Sequence, residues 1–227
     1  MFRFYVLPVN YKIVISHIGD WDFDYCEYYL KRSVFMAFDG ITIAAMVKEL
    51  HGNLDGGRFN KIAQPEADEL LITGKGANGQ CRLLLSASAS LPLIYFTSKN
   101  KPSPMTAPNF CMLLRKHIGS ARISDIRQPG MERVVMFELE HLNELGDPCK
   151  KVLIMELMGK HSNIIFCDDK GMILDSIKHV SSHMSSVREV LPGREYFIPK
   201  TQDKLDPLTV SEEEFCDVVC RKPVSYT

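Results

Sequence analysis

The sequence lacks the features that mark several large classes of protein. Its 227 residues contain no apolar run long enough to span a bilayer, which argues against a transmembrane helix. No low-complexity tract interrupts an ordinary globular composition of 45% hydrophobic and 24% charged residues. The N-terminus has only Arg3 as an early basic residue, and Pro8 and Asn10 interrupt its apolar stretch, so it makes a poor secretion signal.

Cysteine pairs with metal-ligand spacing are also missing. The seven cysteines are scattered and odd in number, which predicts reduced thiols in a cytoplasmic protein and argues against a disulfide frame or a zinc knuckle. His179 and His183 stand four apart, as zinc ligands do on some helices, but no glutamate lies between them and no cysteine is near in sequence. We therefore predict no metal, no cofactor and no small-molecule substrate.

A general excess of positive charge is absent, because the formal net charge is −1. Any binding of nucleic acid must therefore come from a local patch. Between residues 99 and 133 two acidic residues stand against seven basic ones, a local excess of five. The basic residues are Lys99, Lys101, Arg115, Lys116, Arg122, Arg127 and Arg133.

A helix is predicted within this basic segment. Phe110, Leu113, Leu114 and His117 recur at i, i+3, i+4 and i+7, the stripe of a helix that lies on a sheet. Pro108 suits its first turn and Gly119 its end. The triplet Arg115-Lys116-His117 then falls in the last turn, where cations meet the negative end of the helix dipole. This pattern fits two interpretations. The helix is either a core helix with a solvated, well-capped end or the carrier of a cationic binding surface.

The remaining pattern predicts an α+β fold of mostly antiparallel strands packed with a few helices. Asp39 can cap a first helix whose apolar positions Ile43, Met46, Val47 and Leu50 face one way, with Gly52 at its end. The glycine-rich segment 74–79 lacks the GK[ST] ending of a phosphate-binding loop and is interpreted as a hairpin turn. Nine strands are predicted, at 58–64, 69–73, 81–86, 93–97, 122–128, 133–140, 151–157, 163–167 and 172–177.

Both ends of the chain differ from its middle. Residues 1–35 hold ten of the aromatic residues and no clean period, which suggests that Met36 is the natural initiator; a genuine N-terminal extension is the alternative. The intact mass of the endogenous protein would decide between them. Residues 36–200 are predicted to form one domain. Residues 201–227 read as a polar linker and the truncated start of a helical domain, opened by a capping box from Ser211 to Glu214.

Four phrases carry a resemblance to a known family: MAFDG (36–40), FCMLLRKHI (110–118), GKHSNII (159–165) and VLPG (190–193). Together they resemble the N-terminal domain of the NFACT family, whose bacterial members are called RqcH or fibronectin-binding protein A and whose eukaryotic relative is NEMF. The resemblance covers residues 36–207. It implies a fold similar to the N-terminal domain of formamidopyrimidine-DNA glycosylases.

The resemblance implies a cytoplasmic ribosome quality-control factor. Such proteins bind a large ribosomal subunit that is obstructed by peptidyl-tRNA and recruit aminoacyl-tRNA, alanyl-tRNA in bacteria. They support template-free tailing of the stalled peptide, whereas peptide transfer belongs to the ribosome. The expected partners are therefore tRNA and the large subunit, without membrane contact and without enzymatic activity.

The resemblance also implies a tRNA-binding site. Asp39 matches an acidic residue near the start of the family domain, and Glu132-Arg133 matches an Asp-Arg pair, with glutamate as a departure that adds a methylene. Arginine suits this role because its planar fork grips phosphate and stacks on unpaired bases. Cations that could extend the surface are Arg115, Lys116, His117, Lys160 and His161. Alternatively, Asp39 is only an N-cap, and Arg133 is a strand-end arginine paired with Glu132 or Glu156.

The older family name and the implied fold each suggest another function. The older family name suggests a surface adhesin that binds fibronectin, against which stand the missing secretion signal, the missing membrane anchor and the free cysteines. The glycosylase-like fold suggests an enzyme, but those enzymes use an N-terminal proline amine beside a glutamate. The candidate start Met36-Ala37-Phe38 contains neither residue, so the enzyme is rejected.

Overall fold

The structure is a computed structural model that describes residues 38–142, 146–199 and 209–221. The hypothesis about Met36 and the predicted boundary before it lie outside the described residues, as does most of the predicted linker. Within the described part of the chain, no helix has both the length and the apolar character needed to cross a membrane. The elements in chain order are α1 (Gly40–Leu54), β1 (Arg58–Ala63), β2 (Glu69–Gly76), β3 (Gly79–Ser86), β4 (Leu93–Phe96), α2 (Asn109–Ile118), β5 (Arg122–Arg127), β6 (Val134–Leu142), β7 (Pro148–Glu156), a 3-10 helix (Gly159–His161), β8 (Asn163–Asp168), β9 (Ile173–Ser176) and α3 (Glu212–Arg221).

The nine strands form one antiparallel sheet in the order β4-β3-β2-β1-β5-β6-β7-β8-β9. This arrangement confirms the predicted α+β class. The two halves of the sheet meet where Arg58 of β1 pairs with Arg122 of β5. Along β6, buried Phe137 and Leu139 alternate with the partly exposed Glu138 and Glu140, as expected for a half-buried antiparallel strand.

Each predicted strand is present, and most ends agree within three residues. The predicted hairpin is confirmed, since β2 and β3 pair up to Gly76 and Gly79 around a two-residue turn. The predicted end of α1 at Gly52 is wrong, because the helix continues to Leu54. Gly52 does not adopt the positive φ by which glycine ends many helices, so the helix runs through it.

The main core unites both halves of the sheet with α1 and α2. Phe59 of β1 and Phe137 of β6 are both fully buried, and their ring centroids lie 6.2 Å apart. A second apolar cluster lies on the opposite face of β6 to β8, where residues 180–198 cover it. Strands β6 to β8 are therefore buried on both faces.

Helix α2 packs through a face that differs slightly from the predicted one. Phe110 and Leu114 are buried as predicted, but Cys111 and Ile118 complete the buried face. His117, predicted on the apolar stripe, is only half-buried. Pro108 precedes the first helical residue and Gly119 follows the last, as predicted.

Candidate nucleic-acid interface

Asp39 forms the N-cap of α1. Its side chain accepts a hydrogen bond of 2.7 Å from the backbone N–H of Thr42, which satisfies one of the free amides of the first turn. The same bond lowers the pKa of the Asp39 carboxyl, so the group is ionised at neutral pH. The carboxylate nevertheless remains exposed to solvent. The predicted N-cap is therefore confirmed, and it leaves the charge accessible to a ligand.

The turn between β5 and β6 lies against the N-terminus of α1. The Gln128 side-chain amide donates to the backbone oxygens of Gly40, at 2.9 Å, and Glu132, at 2.8 Å. A Cβ added to Gly40 would lie 2.3 Å from the backbone oxygen of Met131, so only glycine permits this approach. The structure thus brings Asp39 next to the segment that carries Glu132 and Arg133.

Arg133 directly precedes β6 and is partly exposed, and its backbone oxygen accepts a hydrogen bond from the backbone N–H of Leu157. Among the described residues, its guanidinium has neither a hydrogen bond nor an ion pair. The alternative pairing with Glu156 is wrong, because Glu156 is fully buried and already engaged. Arg188 donates to both of its carboxylate oxygens, at 2.5 and 2.7 Å, and Tyr196 donates at 2.9 Å.

Lys160 and His161 occupy the 3-10 helix between β7 and β8, and both are exposed. Ser162 holds this loop in place, since its hydroxyl accepts a 2.8 Å hydrogen bond from the backbone N–H of Met158. Strands β6, β7 and β8 are antiparallel neighbours, so the start of β6, the end of β7 and the start of β8 lie at the same end of the strands. We call this side, where the strands end, the edge of the sheet. Lys160 and His161 therefore lie at the same edge as Arg133.

The cations of α2 lie elsewhere. The Arg115 Nε donates to the backbone oxygen of Ile62 at 2.7 Å. The His117 ring contacts the rings of His141 and Phe166, with centroids at 6.5 and 6.1 Å. His141 is near the far end of β6, which at about 3.3 Å per residue is roughly 26 Å along the strand from Arg133. We treat Arg115, Lys116 and His117 as a second group, on the helix that packs against β1 and β6.

The local excess of positive charge between residues 99 and 133 does not form one surface. Several of these basic residues are paired with carboxylates on other strands. A count of charges along the sequence cannot show such pairs. The pairs are Lys101 with Glu69, Arg122 with Glu140 at 4.0 Å, and Arg127 with Glu138 at 2.7 Å. The predicted continuous surface from Arg115 to Arg133 is therefore divided. We call the group Asp39, Glu132, Arg133, Lys160 and His161 the edge site.

Sequence patterns do not reveal two residues that build the edge site. Gln128 and Gly40 carry no charge and belong to no catalytic motif, and their roles arise only when α1 meets the turn before β6. The buried Glu156 had a detectable signal, since it interrupts the apolar run of β7 and a buried carboxylate needs a partner. Its partner Arg188 is 32 residues away in sequence, too far for pattern analysis to pair them.

Comparison with known proteins supports the resemblance seen in the sequence. A family model described as NFACT N-terminal and middle domains matches residues 39–226. The chain belongs to the NFACT family. It shares 42% identity over 182 residues with the Rqc2 homolog RqcH of Bacillus subtilis (strain 168), covering 79% of this chain and 32% of that protein. With ribosome quality control complex subunit NEMF of Homo sapiens it shares 27% identity over 151 residues, 66% of this chain and 13% of that protein.

Solved structures of the NFACT family share the fold. The N-terminal part of the fibronectin/fibrinogen-binding protein from Streptococcus suis matches with a TM-score of 0.76 and 38% identity, covering 80% of this chain and 68% of that chain. The N-terminal domain of the fibronectin-binding protein PavA from Streptococcus pneumoniae matches with a TM-score of 0.75 and 36% identity, with the same coverage. The chain spans about a third of the length of the bacterial curated relatives that it matches. The predicted likeness to glycosylases stays a prediction.

Proposed function

We propose that this domain binds tRNA as part of a ribosome quality-control factor. Relatives named RqcH and NEMF support the biological setting. In this setting the protein works in the cytoplasm on the obstructed large ribosomal subunit and supports alanine tailing of stalled chains. The domain binds alanyl-tRNA and does not itself catalyse a reaction.

The observation that carries the proposal is the contact of the turn before β6 with the N-terminus of α1, which brings the segment of Arg133 close to the exposed, ionised carboxylate of Asp39. In the part of the chain that the structure describes, the Arg133 guanidinium has no hydrogen bond and no ion pair. Arginine can grip a phosphate with two parallel hydrogen bonds or stack on an unpaired base. A neighbouring carboxylate can accept hydrogen bonds from a ribose 2′-hydroxyl or an exocyclic amino group. Lys160 and His161 at the same edge add contacts to the backbone. Together these groups suit a folded RNA with exposed loops better than an uncharged ligand.

The test is tRNA binding by the Arg133→Ala variant, followed by fluorescence anisotropy. Loss of a bidentate arginine contact costs about 1–3 kcal/mol, so we expect affinity to fall about fivefold or more. Thermal stability should change little, because an exposed arginine contributes only about 0–1 kcal/mol to folding. Arg194→Ala removes an exposed arginine that pairs with Glu189 and serves as the matched control. A large drop in melting temperature with unaltered tRNA affinity would show that Arg133 is structural.

Fibronectin binding is the second candidate, favoured because the related solved structures are those of proteins named for fibronectin binding. The two candidates predict different responses to salt. Affinity for tRNA should fall steeply as salt rises from about 50 to 200 mM, because bound counterions are released from the phosphates. A fibronectin complex that is insensitive to salt, together with an absence of tRNA binding, would favour the adhesin.

A further inference from the structure

A groove of about 360 Å³ lies on the face of β1 to β3 that points away from the main core. Cross-strand pairing places Lys61, Thr73 and Arg82 in one row on this face. The floor is apolar and buried: Ala63 and Leu71 line the groove, and Leu84 packs with them. Residues 100–103 form the opposite wall. The strand layer separates this groove from the face on which α1 packs.

Positive charge dominates the groove. Lys61 is exposed, and Arg82 is half-buried with one guanidinium nitrogen donating to the backbone oxygen of Ser98 at 2.9 Å. Lys101, on the opposite wall, donates to Glu69, whose side chain is only 15% exposed. This hydrogen bond raises the pKa of Lys101, so the lysine stays protonated. The negative charge of the exposed Glu66 also raises the pKa of Lys101. Two more exposed lysines lie near the groove: Lys75 is two residues after Thr73 on β2, and Lys99 precedes the wall of residues 100–103.

An exposed aromatic ring lies on the same face. Tyr95 of β4 pairs with Leu84, which packs against the groove floor, and Tyr95 is 42% exposed. Because cross-strand partners share a face, the pairs of Leu71 with Leu84 and of Leu84 with Tyr95 place the ring on the face of the groove. The groove is further lined by uncharged hydrogen-bonding side chains, those of Thr73, Gln80, Asn100 and Ser103.

We propose that this groove is a second RNA-binding surface, which holds the backbone of an unpaired RNA segment while Tyr95 stacks on a base. Lys61 and Arg82 lie two strand spacings apart, about 10 Å, so they can meet different phosphates of one strand. A basic groove beside an exposed ring on a sheet face is the combination by which proteins hold single-stranded nucleic acid. An acidic peptide would use the cations but leave the ring without a role. The inference extends the proposed function to RNA contacts that do not involve the edge site.

The test compares two double variants of the full chain. Lys61→Ala with Arg82→Ala removes two groove cations, and Lys48→Ala with Arg194→Ala removes one lysine and one paired arginine elsewhere. The probe is a fluorescein-labelled oligouridylate of about 12 nucleotides, within the range that one such surface covers. We expect about five- to tenfold weaker binding for the groove variant and a salt slope reduced by about 1.4, as two lost phosphate contacts imply. The control variant should bind like the original chain.

Substitutions of Tyr95 test stacking without changing charge. Tyr95→Leu should weaken oligouridylate binding about fivefold or more, whereas Tyr95→Phe retains the ring and should bind nearly as the original chain does. Melting temperatures of all variants establish that each is folded. Equal losses in the groove and control double variants would overturn the inference, as would unchanged affinity of Tyr95→Leu. A polyglutamate peptide that binds as tightly as the RNA would identify an acidic-peptide groove instead.

Arg133→Ala, measured with the same oligouridylate and with tRNA, separates this inference from the proposed function. If the groove variants lose oligouridylate binding while Arg133→Ala does not alter tRNA affinity, the groove stands and the edge site fails. If Arg133→Ala weakens tRNA binding while the groove variants leave oligouridylate affinity unchanged, the edge site stands and the groove fails.

Discussion

Two arginines near one edge of the sheet show how burial decides what a charge does. The side chain of Arg188 is only 11% exposed and binds both oxygens of the buried Glu156. Burial alone would lower the pKa of Arg188, but the hydrogen bond and charge of Glu156 outweigh it and the pKa is raised. Arg133 is partly exposed and has no such partner among the described residues. Arg188 therefore fastens residues 180–198 to the sheet, whereas Arg133 is available to a ligand.

Arg188→Ala should strongly destabilise the fold. The substitution leaves the Glu156 carboxylate buried with only Tyr196 as a partner, and breaking a buried ion pair in this way costs about 3–5 kcal/mol. Urea unfolding measures the change in the free energy of unfolding. Arg194→Ala is the control, because its pair with Glu189 is exposed and is worth about 0–1 kcal/mol. Equal effects of the two substitutions would show that the buried pair is not an anchor.

Asp39 has a capping role and a charge role, and substitution can separate them. Asp39→Ala removes both and should lower the free energy of unfolding by about 1 kcal/mol, whereas Asp39→Asn keeps an N-cap acceptor and should fold nearly as well. If the charge contacts RNA, both variants should bind tRNA more weakly in an anisotropy titration. Normal tRNA affinity of Asp39→Asn would restrict Asp39 to the cap.

The Asp39 cap should also depend on pH. Because the folded state lowers the pKa of this carboxyl, its ionised form stabilises the fold above the unfolded pKa of about 3.9. That contribution is lost as the pH falls through the folded pKa. Urea unfolding across this acidic range should show a steeper loss of stability for the original chain than for Asp39→Asn. Parallel curves would contradict the assignment.

At the scale of elements, the edge site depends on how closely α1 approaches the turn before β6. The contact between Gly40 and the backbone of Met131 has no room for a side chain. Gly40→Ala should therefore push the helix N-terminus away, disturb the Gln128 bridge and weaken tRNA binding together with stability. Differential scanning calorimetry and the anisotropy assay measure both effects on the same preparation.

Gly52→Ala provides the matched control within α1. An added Cβ at Gly52 meets no atom within 4 Å, and alanine is favoured over glycine inside a helix by about 0.5–1 kcal/mol. The variant should therefore raise the melting temperature and leave tRNA affinity unchanged. If both glycine variants destabilise the protein alike, the close approach at Gly40 is not the cause of the loss.

At the scale of the whole molecule, one core joins both halves of the sheet. Phe59 and Phe137 meet across it, so neither half can lose its packing alone. Phe59→Ala should reduce the free energy of unfolding by about 3–5 kcal/mol. Unfolding should remain a single transition, with circular dichroism and the amide exchange of β2 and β7 changing at the same urea concentration. Separate transitions for the two halves would contradict a common core.

Much of the fold could be predicted because its signals are local. Asp39 before a 3.6-residue period, the alternation of Phe137 and Leu139 with glutamates, and the Ser211 to Glu214 capping box each lie within a few residues. The strand order and the pairing of β1 with β5 could not be predicted, because they depend on contacts between distant segments. The charged residues of the edge site were named from the sequence, and their role in binding stays a prediction; the contact of Gln128 with Gly40 that positions them could not be foreseen.

By itself the sequence determined the α+β class, the positions of helices and strands, and membership of the NFACT family, since capping, periodicity and motifs act over short stretches of chain. Only the tertiary structure decided which charges act together. In the folded chain, Asp39 lies next to the segment of Glu132 and Arg133, whereas Arg115 binds the backbone of Ile62. Three other cations, Lys101, Arg122 and Arg127, pair with carboxylates on other strands. The physical reason is that electrostatic interactions depend on distance and burial in space, which folding sets and the order of residues does not.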